Sequence, residues 1–440
     1  MCSRDGRVLQ RQPPTDNSVG LVPPVWSAFG RRGSPARAAA SLLGACALVL
    51  AACGGTSTQA SRAVGATSPS GSSVSPTTTA QPTPPSTAAP SPPPAAAVVP
   101  ISWGKAPVSG PIGPLVAISC SSATRCLAVG GGSAQASPAA MLLSGASWST
   151  LPPPSDAGKF TGVSCPTAST CVVVDDATFS HNGTVENPAA FIRTDSAWLP
   201  QALPSVAGFS LPVYHLTGVS CAGARYCVAV GSAGSGPVIV IYNGSAWALG
   251  QVPAGVGSLN AVACAKPGYC SAVGSAASNS SVPVVISEST GSWSVRPIPA
   301  GSYTLNGISC PSVSDCTAVG GTFAGGGSPG GNTVIASGSG GWVNQTVPGD
   351  AGYLQAVSCS STSSCVAVGA NMGGATVLSY EAADWHNDVV PSLSSASSLT
   401  WGDSLDGAAC PSSSFCLAVG PISFSGPGGV ILQAGSGVGR

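Results

Sequence analysis

The sequence predicts an all-β chain whose folded part is a seven-bladed β-propeller, with one hairpin disulfide per blade and an N-terminal strand closing the last blade. Three observations lead there. Fourteen cysteines fall into seven equally spaced pairs, a tryptophan follows most pairs at a regular distance, and charged residues make up only 7% of 440.

The cysteine pairs are Cys120/Cys126, Cys165/Cys171, Cys221/Cys227, Cys264/Cys270, Cys310/Cys316, Cys359/Cys365 and Cys410/Cys416, each enclosing five residues. First cysteines recur every 43 to 56 residues, a period that belongs to propellers and solenoids. Around them the text is nearly constant: VAISC…CLAVGG, TGVSC…CVAVGS, NGISC…CTAVGG. Two short apolar runs joined by turn residues read as a β-hairpin.

A third run follows most pairs, such as 238–242 (VIVIY) or 333–337 (TVIAS). After it a Gly or Ser turn leads to Trp148, Trp198, Trp247, Trp293, Trp342 or Trp385. Four strands per unit is the arithmetic of a propeller blade. The seventh unit ends after its third run, GGVILQAG, and its tryptophan is supplied from the other end: Trp103 stands 17 residues before Cys120. Circular closure of this kind favours a ring over an open solenoid and hides two sheet edges.

Along CVAVG, small Cys, Ala and Gly alternate with Val, giving one face on which neighbouring sheets can approach closely. The core per blade is then thin. A disulfide closing seven residues adds on the order of 2 kcal/mol by the chain-entropy model. Zinc prefers shorter knuckles that bring four ligands together, so neither metal nor another cofactor is expected.

Seventeen cysteines suit an oxidising compartment, and the N-terminus agrees. Arg31, Arg32 and Arg37 precede the uncharged stretch 38–52, too short for a transmembrane helix and patterned like a signal peptide. It ends in Leu50, Ala51, Ala52 and Cys53, which resembles the lipobox of bacterial lipoproteins; that resemblance implies lipidation of Cys53. The long leader before the apolar run fits a translation start nearer Val25, and Cys2 and Cys46 are lost in either case. The domain reading is therefore a lipoprotein signal peptide over 1–53, a disordered Ser/Thr/Pro/Ala tether over 54–98 and the propeller over 99–440. Such a protein sits outside the cytoplasm, anchored to the outer face of the cell membrane.

The GVSC-five-CVAVG repeat resembles secreted Cys-repeat propeller proteins of high-GC Gram-positive bacteria. More distantly it resembles sialidase-type propellers, whose blades carry an SxDxGxxW box. Only fragments of that box remain here, as in 243–247 (NGSAW) and 194–198 (TDSAW). The distant likeness implies, as an alternative function, a sialidase-like carbohydrate-active enzyme. The arginine triad such enzymes need has no counterpart in Arg125, Arg193, Arg225, Arg296 and Arg440, so no catalytic residue carries over.

In a propeller the loops that join strands two to three and four to one share one face. One loop set offers Asp156, Lys159, His215, Tyr303, Asp350, Tyr353, Asp403 and Asp406. The other offers a cluster in the second blade, where VVVDDATFSHNGTVENPAA replaces the usual AVGS and places Asp175, Asp176, His181 and Glu186 within twelve residues. Oxygen ligands on a flexible loop suit calcium or a sugar, although the spacing fits no known cation loop and an insertion with solvated charges is the plainer reading. Net charge is zero, and seven of the 15 Lys and Arg precede residue 63, so the ring has no basic stripe for nucleic acid. The expectation is a non-enzymatic binding or interaction module whose ligand is a glycan, a peptide or a protein.

Overall fold

The computed structural model describes residues 101–440 except 109, 132–137, 177–188, 207–213, 235, 323–330, 394–402, 423–427 and 436–440. Twenty-eight strands lie among the described residues, and no helix. They form seven blades of four antiparallel strands. Blade 1 is β2 (Leu115–Ser122), β3 (Arg125–Gly131), β4 (Pro138–Ser144) and β5 (Ser147–Thr150), in that order from the channel outward. Blades 2 to 6 are β6–β9 (159–200), β10–β13 (214–250), β14–β17 (256–296), β18–β21 (305–344) and β22–β25 (353–387).

Blade 7 takes β26 (Gly407–Ser412), β27 (Phe415–Ile422) and β28 (Gly428–Gly435) from one end of the ring and β1 (Trp103–Lys105) from the other. The strand β1 runs antiparallel to β28, with Trp103 opposite Ala434 and Lys105 opposite Leu432. The closure expected from the tryptophan count is therefore present.

All seven cysteine pairs are bonded within their own hairpins: Cys120 with Cys126, Cys165 with Cys171, Cys221 with Cys227, Cys264 with Cys270, Cys310 with Cys316, Cys359 with Cys365, and Cys410 with Cys416. Their geometry is not uniform. In blades 1, 3, 4 and 6 the two cysteines stand directly opposite in the ladder, as Cys120 does to Cys126 and Cys359 to Cys365. In blades 2 and 7 the register shifts at Cys165/Cys171 and Cys410/Cys416, and the bond spans an irregular part of the hairpin.

The core lies between blades. Each of the seven seams holds one apolar cluster, and each cluster holds one tryptophan. In blade 3, Cys227, Ala229 and Trp247 face blade 2, while Val228 and Val230 face blade 4. The alternation in CVAVG thus puts a small, close-packing face toward one neighbour and an aliphatic face toward the other. Close approach is literal at Gly307, where an added Cβ would lie 2.8 Å from the Gln355 carbonyl oxygen of the next blade.

The Ser of the SC dipeptide has a role that the repeat alone does not reveal. Its hydroxyl accepts a hydrogen bond from the backbone N–H of the first cysteine in the next blade. Cys165 donates to Ser119, Cys221 to Ser164, Cys264 to Ser220, Cys359 to Ser309 and Cys410 to Ser358, at 2.9 to 3.0 Å. The two seams without this clip are those where Ala263 and Ala409 replace the serine. Nearer the other end of the inner strand, Thr161, Thr217, Asn260 and Asn306 donate to Leu216, Leu259, Leu305 and Leu354 carbonyls of the following blade.

These clips give a direct prediction. Ser164→Ala leaves the Cys221 N–H without its acceptor and should cost about 1 to 3 kcal/mol, whereas Ala409→Ser should restore a clip and add about 1 kcal/mol. Guanidinium unfolding of the soluble ring checks both. Equal midpoints for parent and Ser164→Ala would show that the clips contribute nothing.

Candidate functional site

The loop face gathers most of the predicted polar residues. The strand β7 (Thr170–Asp176) ends there with Asp175 and Asp176, and β10 (Tyr214–Gly223) begins there with Tyr214 and His215. Asp176 Oδ1 lies 2.7 Å from His215 Nδ1, and these residues form the ladder contact that joins the sheets of blades 2 and 3. His181 and Glu186 lie outside the described residues.

Asp175 faces inward and is only 1% exposed. Its Oδ2 accepts from the Gly158 N–H at 2.8 Å, while Oδ1 is buried with no hydrogen-bond partner among the described residues. Burial pushes its carboxyl up to about 7, aided by the neighbouring Asp176 and Asp156 charges and opposed by the Gly158 bond. The other six blades place glycine here. At Gly231, for example, an added Cβ would fall 2.0 Å from the His215 carbonyl oxygen. Asp175 therefore departs from the repeat at a crowded place, and its chemistry differs from that of a solvated loop charge.

Across the channel mouth, Lys159, Tyr353 and Asp406 interact from blades 2, 6 and 7. Burial raises the Asp406 carboxyl, opposed by the Ser404 hydroxyl at 2.9 Å and by the Lys159 charge. Burial also raises the Tyr353 phenol, with the Asp406 charge adding to it. Asp350 accepts from Asn387 Nδ2, Asp403 is buried and Tyr303 is exposed. The mouth is thus of mixed charge.

The hairpin face is different. Its central mouth is a cavity of about 280 Å³ lined by all seven inner strands, through residues such as Ser119, Ser164, Ser220 and Ala409, with no charged side chain among them. The two cysteines of a pair divide here. First cysteines Cys120, Cys264, Cys310 and Cys410 line this mouth. Second cysteines do not, and they belong to the seams rather than to a site on the channel. Cys126, Cys365 and Cys416 are buried in the clusters built around Trp148, Trp385 and Trp103, and the half-buried Cys171 packs against the cluster of Trp198. Oxidised and packed between blades, these four have a structural role.

At the rim between blades 1 and 2, Arg125 pairs with Asp195, and Arg193 lies 5.7 Å from the centre of the Trp198 ring. Two further openings lie between blades, about 400 Å³ at the seam of blades 4 and 5 and about 170 Å³ at the seam of blades 5 and 6.

Two carboxylates, one half-buried and one buried, escaped the sequence reading. Asp388 accepts from Ile101 N–H, Trp103 Nε1 and Ser379 Oγ, tying the closing strand to blade 6. Glu288, 4% exposed, accepts from the Tyr226 hydroxyl of blade 3 at 2.8 and 2.9 Å. Both positions follow or precede a blade tryptophan by a few residues, the only sequence signal that could have marked them.

Solved structures share this architecture. The chain is similar to a structure described as YCF48 bound to D1 peptide (13% identity, TM-score 0.50), covering 78% of this chain and 99% of that one. It is also similar to the WD40 β-propeller domain of Doa1 (9%, TM-score 0.51, 76% and 98% covered). A streptogramin B lyase matches with 11% identity and a TM-score of 0.53, over 76% and 97%. The fold is a β-propeller. No protein-family model and no curated protein matches the chain. At these identities the likeness extends to the fold alone, because propellers host unrelated functions.

Proposed function

We propose that the chain is an exported lipoprotein, anchored through Cys53 to the outer face of the cell membrane, whose ring acts as a rigid binding module for a glycan, peptide or protein. The observation that carries the reading is the closed, stapled ring. Seven seams packed by tryptophan and seven hairpin disulfides hold two loop faces in fixed positions, the arrangement in which loops on a rigid scaffold bind. The disulfides are compatible with an oxidising compartment. Among structural relatives, one propeller is described with a bound peptide, which supports a binding role.

Two measurements test this reading. Mass spectrometry of the mature N-terminus should find a lipid-modified Cys53, and Cys53→Ala should move the protein from the membrane fraction to the medium. A mature N-terminus that begins elsewhere and carries no lipid overturns the anchor. For binding, fluorescent soluble ring starting after Cys53 should bind saturably to cells lacking their own copy and be displaced by unlabelled ring. Purely linear, non-displaceable uptake overturns the binding-module reading.

A further inference from the structure

The seam between blades 4 and 5 breaks the packing rule that the other blades follow. The residue after the second cysteine packs into the next blade, and at five seams it is a buried aliphatic: Leu127, Val172, Val228, Val366 and Leu417. Blades 4 and 5 carry Ser271 and Thr317 instead, and these residues line the two openings between blades. The larger opening, about 400 Å³, lies within the range of small-ligand sites.

The opening is built consistently by its neighbours. Ser271 stands opposite Ser287, their hydroxyls 3.0 Å apart, where blade 3 pairs Val228 with Ile241. Cys316 Sγ of blade 5 lies 4.0 Å from Ser271 Oγ, so this hydroxyl row faces blade 5. Trp342 forms part of the opposite wall, and Arg296 stands exposed at the margin. The same seam lacks its clip because Ala263 replaces the serine. The blade 5 hairpin also leaves the sheet: β18 (Leu305–Ser309) stops and β19 (Thr317–Gly321) starts outside the disulfide loop, whose Ser312 and Ser314 bond to Asp315 instead. Several independent departures from the repeat converge on one cleft, and such departures collect at functional sites.

We propose that this cleft binds a saccharide. Hydroxyls on one wall can exchange hydrogen bonds with sugar hydroxyls, the Trp342 indole offers an apolar face to the C–H side of a ring, and Arg296 is placed to take a carboxylate substituent. Glu288 also lines the opening, next to Ser287 in the strand, but its carboxylate is taken by the Tyr226 hydroxyl of blade 3. The inference rests on the binding-module reading and names its site and ligand class.

The test uses a variant that should fold. Ser271→Val with Ser287→Ile copies the Val228 and Ile241 pair of blade 3, fills the cleft and should raise the melting temperature. The soluble ring is applied to immobilised neutral oligosaccharides and uronate-bearing oligosaccharides. The parent should bind members of the panel saturably, and the filled variant at least tenfold more weakly. Arg296→Gln should weaken only the uronate-bearing members. A filled variant that melts at or above the parent and binds sugars equally well overturns the site, and a parent that binds no panel member overturns the ligand class. If the ring still binds cells saturably in either case, the binding-module reading stands. If it binds neither, that reading fails as well.

Discussion

Deleting residues 99–107 should lower the melting temperature of the soluble ring far more than deleting residues 60–95 of the Ser/Thr/Pro/Ala segment. The first deletion removes β1, whose Trp103 is 5% exposed and packs with Leu432 and Ala434 of blade 7 and with Val366 and Val377 of blade 6. Cutting a buried tryptophan to alanine alone costs about 3 to 5 kcal/mol. The deletion also strips Asp388 of its Ile101 and Trp103 donors, leaving the Ser379 hydroxyl. Burial already raises the Asp388 carboxyl, and those donors are what oppose the shift. An under-bonded, half-buried carboxylate and an unpaired β28 edge add to the loss, and the edge invites association between molecules. Thermal unfolding of both deletions against the parent measures it. If the 99–107 deletion melts with the parent, β1 does not hold the ring closed.

The ring was legible because its code is redundant. Seven identical cysteine spacings, a tryptophan per unit and a third run after each pair all count to the same number, and the one missing tryptophan reappears at Trp103. The alternation in CVAVG also predicted which face packs closely. The spacing gave the pairing of Cys126, Cys171, Cys365 and Cys416 but not their place in the seams, which depends on the neighbouring blade. The seam clips were harder to read because their partners lie in the next blade, 44 to 57 residues away in sequence, and no local pattern links Ser164 to Cys221. The second-blade cluster was legible as composition but not as geometry. Asp175 and Asp176 are adjacent in sequence, yet strand alternation sends one into the sheet and the other to His215. Ser271 and Thr317 each depart from the repeat by one residue, and what that departure does depends on the neighbouring blade that each residue faces.

Asp175→Asn should stabilise the ring at pH 8 and flatten its pH dependence. The folded carboxyl is raised from an ordinary value of 3.8 to about 7, so the folded state binds a proton that the unfolded state releases. Such a group contributes stability that is fully present below about pH 4 and is lost as the pH rises through 7. At about 1.36 kcal/mol per pH unit, a separation of roughly three units makes the ionised form about 4 kcal/mol worse at pH 8 than the protonated form at pH 4. Asparagine keeps an acceptor for the Gly158 N–H and carries no charge, so it removes that term while preserving the contact. Asp388, Asp406 and Glu288 are shifted in the same direction and shape the background. The difference between variant and parent cancels them. Denaturant unfolding at pH 4 and pH 8 should give nearly equal stabilities for the two proteins at the lower pH, and a gap of a few kcal/mol in favour of the variant at the higher. If the variant is instead less stable at pH 8, the folded carboxylate is ionised and stabilising there, and burial does not hold its proton.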